Sequence, residues 1–304
     1  MVEEAIRKSQ VLIEALPYIK KFFNKVVVIK FGGSSLDDKA VRKMVLQDIV
    51  FMRYAGMKPV LVHGGGPHIT GRLKEANIET KFVDGLRVTT EESMAVIDAV
   101  LAEMNKELVD EINSHGGEAF GLSGKENNII QAVKKETVQA GEESAEGSVS
   151  EASESAHDLG YVGEVEAIDT TVLNRLVNTN IIPVVSPVGK GKDNKLYNIN
   201  ADESASSLAV ALDAEKFVLM TNVRGVMKDK DDQDSLVHSL TLDKTNELIE
   251  TGVIAGGMLP KIKAGLHALQ GGVRKAHIVD AQLAHALLLE IFTDEGIGTE
   301  IVHG

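Results

Sequence analysis

The chain has 304 residues, enough for one large α/β domain or two modest lobes, and its 43% apolar and 25% charged residues are ordinary for a globular protein. A formal charge of −13 argues against a nucleic-acid partner, which demands a broad face of clustered Lys and Arg, but leaves room for a few lysines focused in one cleft. The lack of cysteine excludes disulfides, thiolate metal sites and cysteine nucleophiles and fits a cytoplasmic protein, and no apolar run is long enough for a membrane span or secretory leader.

Val11, Leu12, Ala15 and Leu16, then Tyr18, Ile19, Phe22 and Phe23, predict an N-terminal helix over residues 1–24, kinked or broken at Pro17 and serving association between subunits. From Val26 the pattern runs strand, glycine turn, helix, twice in succession: Val26 to Ile29, Gly32-Gly33 and a helix over 37–55, then Pro59 to Val62, Gly64-Gly65-Gly66 and a helix from Pro67 to about Asn77. Residues 78–89 read as a hairpin turning at Asp84-Gly85, and Thr89 with Glu92 as a capping box for a helix to Ser114. Residues 134–158 are acidic and nearly devoid of apolar side chains, a solvated hairpin tip or loop.

The second half predicts a helix after Asp169, strands over 181–185 and 196–199, a helix from near Asn200 and a strand over 217–220. Helices over 242–250 and 258–269, a strand over 277–279, a helix over 284–292 and a strand over 299–302 close the chain. The whole reads as an αβα sandwich, doubly wound around a mainly parallel sheet, with a lobe boundary near Gly189 that separates residues 25–189 from 190–304.

Chemistry concentrates where the glycines are. Lys30-Phe31-Gly32-Gly33 and His63-Gly64-Gly65-Gly66 are two glycine loops opening onto helix N-termini, where bare backbone and free N–H groups favour an anion. Neither is a P-loop, and the nearest imitation, ending at Lys125, has Glu126 where a hydroxyl is needed. Lys30 ends an apolar strand, where an ammonium needs an anionic partner; Asp202, behind Asn198 and Asn200, is a candidate, and Lys261 beside Pro260 a second cation.

Strings from Glu14 onward resemble the N-acetylglutamate kinases of the amino-acid kinase superfamily: residues 28–33, 62–67, 84–89, 198–202, 256–261 and 290–299, all in family order. The resemblance implies ATP-dependent phosphorylation of the γ-carboxylate of N-acetyl-L-glutamate, in arginine biosynthesis, with Mg²⁺ riding on the nucleotide and no metal site in the protein. It implies that Lys30 and Lys261 contact the transferring phosphoryl, with Asp202 orienting both. Gly64, Gly65, Arg87, Asn198 and Asn200 would hold the acyl-amino acid. Gly32 and Gly33, Thr221, Asn222, Val223, Gly225, Val226 and Met227, and Val253, Ile254 and Ala255 would hold the nucleotide. The N-terminal segment resembles that of arginine-inhibited hexamers, trimers of dimers, in which L-arginine sits near the positions of Tyr18, Lys216, His277, Glu290 and Gly296.

The chemistry agrees with this inventory. A glutamate-like carboxylate titrates near ~4.3, so the nucleophile is ionised at neutral pH and needs no general base; His63 and His68 are read as structural. Phe31 and Ser34-Ser35 are closer to aspartokinase, so aspartokinase and an aminoadipate-type kinase stand as alternatives. From other classes, a non-catalytic amino-acid sensor would not need the two lysines, and a dinucleotide-binding dehydrogenase would need a Gly-x-Gly-x-x-Gly fingerprint that neither turn has.

Overall fold

The computed structural model of the chain describes residues 2–136, 158–229, 232, 234–293 and 296–303; most of the acidic stretch 134–158 lies outside them. In chain order the elements are α1 (Val2–Phe22), β1 (Val26–Phe31), α2 (Ser34–Asp37), α3 (Lys39–Tyr54), β2 (Lys58–His63), α4 (Gly66–Glu75), β3 (Phe82–Val83), β4 (Leu86–Arg87), α5 (Glu91–Ser114) and β5 (Ala119–Ser123). There follow β6 (Ile130–Lys134), β7 (Val162–Ile168), α6 (Thr171–Asn178), β8 (Ile182–Ser186), β9 (Val188–Gly191), β10 (Leu196–Ile199), α7 (Ala201–Ala211) and β11 (Lys216–Thr221). Last come β12 (Ser239–Leu240), α8 (Leu242–Glu250), α9 (Met258–Gln270), β13 (Lys275–Asp280), α10 (Ala286–Phe292) and β14 (Thr299–Val302).

Eight strands form one sheet in the order β12-β14-β13-β11-β1-β2-β8-β5, parallel except that β14 runs antiparallel to β13 and carries β12 with it. Because strand side chains alternate between faces, β1 sends Val27, Ile29 and Phe31 into a core with α3, α5 and α10. Val28 goes to the opposite core with α6, α7 and α9. This is the layered, mainly parallel α/β arrangement expected, with both sheet faces covered. From β1 the chain winds to β2 on one side and later returns as β11 on the other. The order reverses at β1, and in open α/β sheets ligands bind at such a switch point beyond the strands' carboxyl ends.

Three details differ from expectation. Helix α1 runs unbroken through Pro17. The missing N–H weakens one turn, but the last turn is held from outside: Tyr18 meets Phe292 edge-on at 6.4 Å and Phe22 is buried. The α5 cap is Thr90, which accepts from Ser93 N, and not Thr89. Thr89 is fully buried and bridged to Gly160, with its amide on Leu159 O and its carbonyl receiving Tyr161 N, so Thr90 is the residue left to cap.

The third is that β6, β7, β9 and β10 close into a small barrel against the sheet, where strict double winding was expected to continue; β6 and β7 are the antiparallel stems leading into and out of the acidic stretch. Of these strands only β10, at 196–199, was expected; the pairing of β6 with β7 carries a register shift at Gln131/Ala132, and Gly163, Gly189 and Gly191 interrupt β7 and β9, so neither alternation nor an apolar run marks the other three. The barrel needs those glycines: a Cβ at Gly163 would lie 2.7 Å from Tyr197 Cβ and 2.9 Å from Ile199 Cδ1. Gly163→Ala is therefore expected to lower stability by about 1–3 kcal/mol through overpacking, read as an earlier urea midpoint at unchanged slope. An unchanged midpoint would show that the barrel yields freely.

Candidate active site

Three charged groups from three elements meet beyond the carboxyl end of β1. Lys30, the penultimate residue of that strand, places Nζ 2.8 Å from Oδ1 of Asp202, and Lys261 Nζ lies 3.3 Å from Oδ2. Asp202 sits in the first turn of α7, whose entry is fixed by Asn200: its side-chain oxygen accepts from Asp202 N at 2.8 Å and Glu203 N at 3.3 Å. Lys261 stands in the first turn of α9, after Pro260, and α9 packs along α7. Burial pushes Asp202 upward, yet the ammonium groups of Lys30 and Lys261 outweigh it and hold the carboxyl below the ordinary range. The cluster carries one net positive charge where Lys30 and Asp202 are only 8% and 5% exposed.

The glycine loops press against this cluster. A Cβ at Gly32 would lie 3.2 Å from both Lys30 Nζ and Gly64 N, so any side chain there would intrude on the ammonium and the second loop together. Gly33 has φ 72°, in the left-handed region that favours glycine. The amide of Gly64 is spent on Phe31 O at 2.9 Å, while among the described residues those of Gly32, Gly33 and Gly65 donate to no protein group. Helix α4 starts on Gly65 without a side-chain cap. Unengaged N–H groups beside two lysines make a cradle for an anion.

On the β2 side lies Arg87, 7% exposed at the end of β4. Its hairpin turns at Asp84 and Gly85, both with positive φ, as expected of that pair. Nη2 donates to Thr70 Oγ1 at 2.7 Å and Gly66 O at 3.2 Å, and the guanidinium lies 4.7 Å from the centroid of the Phe82 ring. Nη1 is buried without a partner, and burial pulls the group's pKa down. Asn198, on β10, donates to Thr89 Oγ1 at 3.2 Å. A buried guanidinium with an unused donor suits a carboxylate ligand.

On the β11 side the loop from Thr221 to Met227 follows the strand. Ser35 Oγ reaches Thr221 O and Asn222 Nδ2 reaches Ser34 Oγ, each at 3.5 Å, joining this loop to the first glycine loop. Val223 N donates to Thr221 Oγ1. Gly225 has φ 148°, and a Cβ there would collide with Thr299 Oγ1, which accepts from Val226 N. Met227 bridges to Leu236. Val226, Val253 and Ile254 share the α7/α9 core, and Ala255 O caps the turn entering α9 by accepting from Met258 N. Short links thus join the three sets of candidates: Arg87 reaches the second glycine loop through Gly66, Thr221 and Asn222 reach the turn after the first through Ser35 and Ser34, and Ala255 leads into the helix that carries Lys261. No group of three or more His, Cys, Asp or Glu able to hold a metal occurs among the described residues.

The remaining candidates form a separate cavity of about 350 Å³ at the opposite, amino-end edge of β11 and β13, lined by Tyr18, Lys216, His277, Glu290 and Gly296. Glu290 accepts from Ile297 N and Gly298 N and lies 2.6 Å from His277 Nδ1, which with Lys216 keeps its carboxyl low against its burial. Burial pushes Lys216 down to about 8. Gly296, at φ 63°, leaves room beside that carboxylate.

Sequence reasoning missed Asn105, a polar residue on the buried face of α5 among Leu101, Met104 and Leu108. Its Nδ2 lies 3.1 Å from His63 Nε2 and 2.9 Å from Val184 O. Its amphipathic register was the one signal available.

The triad makes a stability prediction. Asp202 has a depressed folded pKa, so its contribution is present above its unfolded value near ~3.9 and is lost as pH falls through the folded one. Asp202→Asn strands two ammonium groups, so a loss of about 3 kcal/mol at pH 7 is expected, shrinking towards acid pH in denaturant titrations. A loss independent of pH would contradict the ion-pair account.

The chain is similar in sequence and in fold to proteins of one family. The sequence profile of the Amino acid kinase family matches residues 25–280. The acetylglutamate kinase of Petrotoga mobilis is 46% identical over 98% of this chain and 94% of its own, and that of Moorella thermoacetica is 45% identical over 100% of each. An N-acetylglutamate synthase structure from Neisseria gonorrhoeae, in complex with coenzyme A and N-acetyl-glutamate, superposes at TM-score 0.82 with 23% identity, over 97% of this chain and 63% of that one. Carbamate kinase from Giardia lamblia superposes at 0.63 with 15% identity; at such identities these two share the fold alone. With near-complete coverage on both sides at close to half identity, this chain belongs to the amino acid kinase family and, within it, to the acetylglutamate kinases, which are phosphotransferases with a carboxyl group as acceptor.

Proposed function

We propose that the cleft transfers the γ-phosphoryl of ATP to the γ-carboxylate of N-acetyl-L-glutamate, with Lys30 and Lys261 bearing on the migrating group. The single observation that carries this reading is the convergence of both ammonium groups on Asp202 beside the unengaged amides of Gly32, Gly33 and Gly65. In the transfer a carboxylate oxygen forms its bond to the γ-phosphorus as the bond to the β,γ-bridging oxygen breaks, and ADP leaves with that electron pair. No proton moves, so no general base is required. The chain's work is to hold two anions together and balance charge on the transferring oxygens.

The half up to residue 189 supplies the larger part of the acyl-amino-acid side: Arg87, through its unused Nη1, grips the substrate α-carboxylate, and Asn198 and Asn200, from just beyond that boundary, flank it. The half from 190 supplies the nucleotide side, through the loops at Thr221 to Met227 and Val253 to Ala255. Both Asp202 oxygens face ammonium groups, which suits a Mg²⁺ held by the nucleotide's own phosphates and not by this carboxylate. When bound, the ion would supply positive charge to the nucleotide's phosphates, beside that of Lys30 and Lys261.

The test is an ADP-release assay across acceptors. N-acetyl-L-glutamate should be preferred over L-aspartate and L-glutamate, and Lys30→Ala should lower kcat at least ~100-fold with the circular dichroism spectrum preserved. Preference for free aspartate would replace the acceptor, and an unchanged kcat would refute the assigned chemistry.

The second cavity supports a regulatory reading: a buried carboxylate, Glu290, and a lysine, Lys216, suit the two ends of L-arginine, its guanidinium and its α-carboxylate. The exposed Leu12, Ile13 and Leu16 of α1, whose last turn lines this cavity, support a homo-oligomer, a hexamer built as a trimer of dimers. Arginine titrated against activity, with mass followed by light scattering, should show inhibition in the oligomer at millimolar concentration. Inhibition should weaken as pH rises through about 8, where Lys216 loses its charge, and Glu290→Gln should raise the half-inhibiting concentration about tenfold. A flat titration or a monomer would remove the respective reading.

A further inference from the structure

His63 is fully buried at the end of β2, immediately before the glycine loop, and its two ring nitrogens have different neighbours. Nδ1 lies 3.1 Å from Gly64 O, and Nε2 lies 3.1 Å from Asn105 Nδ2. The same Nδ2 is 2.9 Å from Val184 O on β8. A carbonyl can only accept, so the Asn105 atom between Val184 and His63 is the amide NH₂. Nε2 therefore accepts, the ring is neutral, and its proton is on Nδ1, donating to Gly64 O. Gly121, on the neighbouring strand β5, leaves space for this arrangement: a Cβ there would collide with Asn105 Oδ1.

The result is a directional chain from Val184 C=O through Asn105 and His63 to Gly64 C=O. In a trans peptide the carbonyl and the next N–H point in opposite directions. Holding Gly64 O against the imidazole aims the Gly65 N–H away from it, and that amide is among those that donate to no described group. The other side of Gly64 is fixed independently, its own amide being tied to Phe31 O of β1 at 2.9 Å. We infer that Asn105 and His63 are positioning residues for phosphoryl transfer, Asn105 selecting the imidazole tautomer and His63 turning the Gly64–Gly65 peptide so that the Gly65 N–H faces the reacting anions. This rests on the proposed site, where that amide borders the cleft.

Asn is the conservative replacement for His63, because its side-chain nitrogen is as many bonds from Cα as the imidazole Nδ1 and donates equally to Gly64 O. His63→Leu should lower kcat about 10- to 100-fold with KM for ATP within about twofold, His63→Asn should recover most of that loss, and Asn105→Leu should lower kcat similarly. In ¹⁵N-histidine-labelled wild-type enzyme, His63 should show the Nδ1–H tautomer, and Asn105→Leu should erode it. His63→Leu with kcat within twofold of wild type, equal losses in the Leu and Asn variants, or an Nε2–H tautomer in the wild type would each overturn the inference. The tautomer needs no variant to fold. Lys30→Ala separates the two levels: if it keeps full kcat the site itself is misassigned, whereas an inactive Lys30→Ala beside a fully active His63→Leu sinks only the positioning role.

Discussion

The structure turns on one buried carboxylate shared between two ammonium groups. Removing three charges from water is costly, and a lone ammonium at the end of an apolar strand would go uncompensated. Asp202 prevents this by facing Lys30 with one oxygen and Lys261 with the other. Because two positive charges meet a single negative one, the cluster is held together and still has unspent positive potential. A neutral pair would be as well buried but would have nothing to offer an incoming phosphate.

That potential has a direction because of the sheet. Lys30 and both glycine loops lie at the carboxyl ends of β1 and β2, and the reversal of strand order leaves the space above them open. The loops lack side chains for a local reason, visible at Gly32, where the nearest atoms are the Lys30 ammonium and the Gly64 backbone. The chain's charge of −13 is no obstacle, since low-dielectric walls focus the field of a few lysines into the cleft. The second cavity uses the other edge of the same strands: Lys216, which lines it, begins β11, and Thr221, beside the first glycine loop, ends that strand.

Much of this was legible in the residues. Apolar runs at Val26, Pro59, Phe217 and His277 are strands because parallel strands are buried on both faces, and each is in the sheet. Lys30 could be singled out because an ammonium in such a run demands an anion, and the Asp84-Gly85 turn because few pairs accept two positive φ angles. The closure of the small barrel was not legible, although its last strand was, since it depends on pairings such as β10 with β7 and β6 with β9 across long stretches of chain, and glycines interrupt β7 and β9. The α5 cap was misread by one residue because a long-range bridge had already claimed Thr89.

Taken alone, the sequence determined the layered α/β architecture, the two glycine loops and the kinds of charge that must meet, because periodicity and the cost of burying an ion are local properties of the residues. Only the tertiary structure decided which carboxylate answers which lysine, which glycine amides remain free and which histidine tautomer is present. Asp202 and Lys261 are 59 positions apart, and Asn105 and His63 are 42. Contacts over such separations are set by how α5, α7 and α9 pack against the sheet, and that packing is a property of the folded whole.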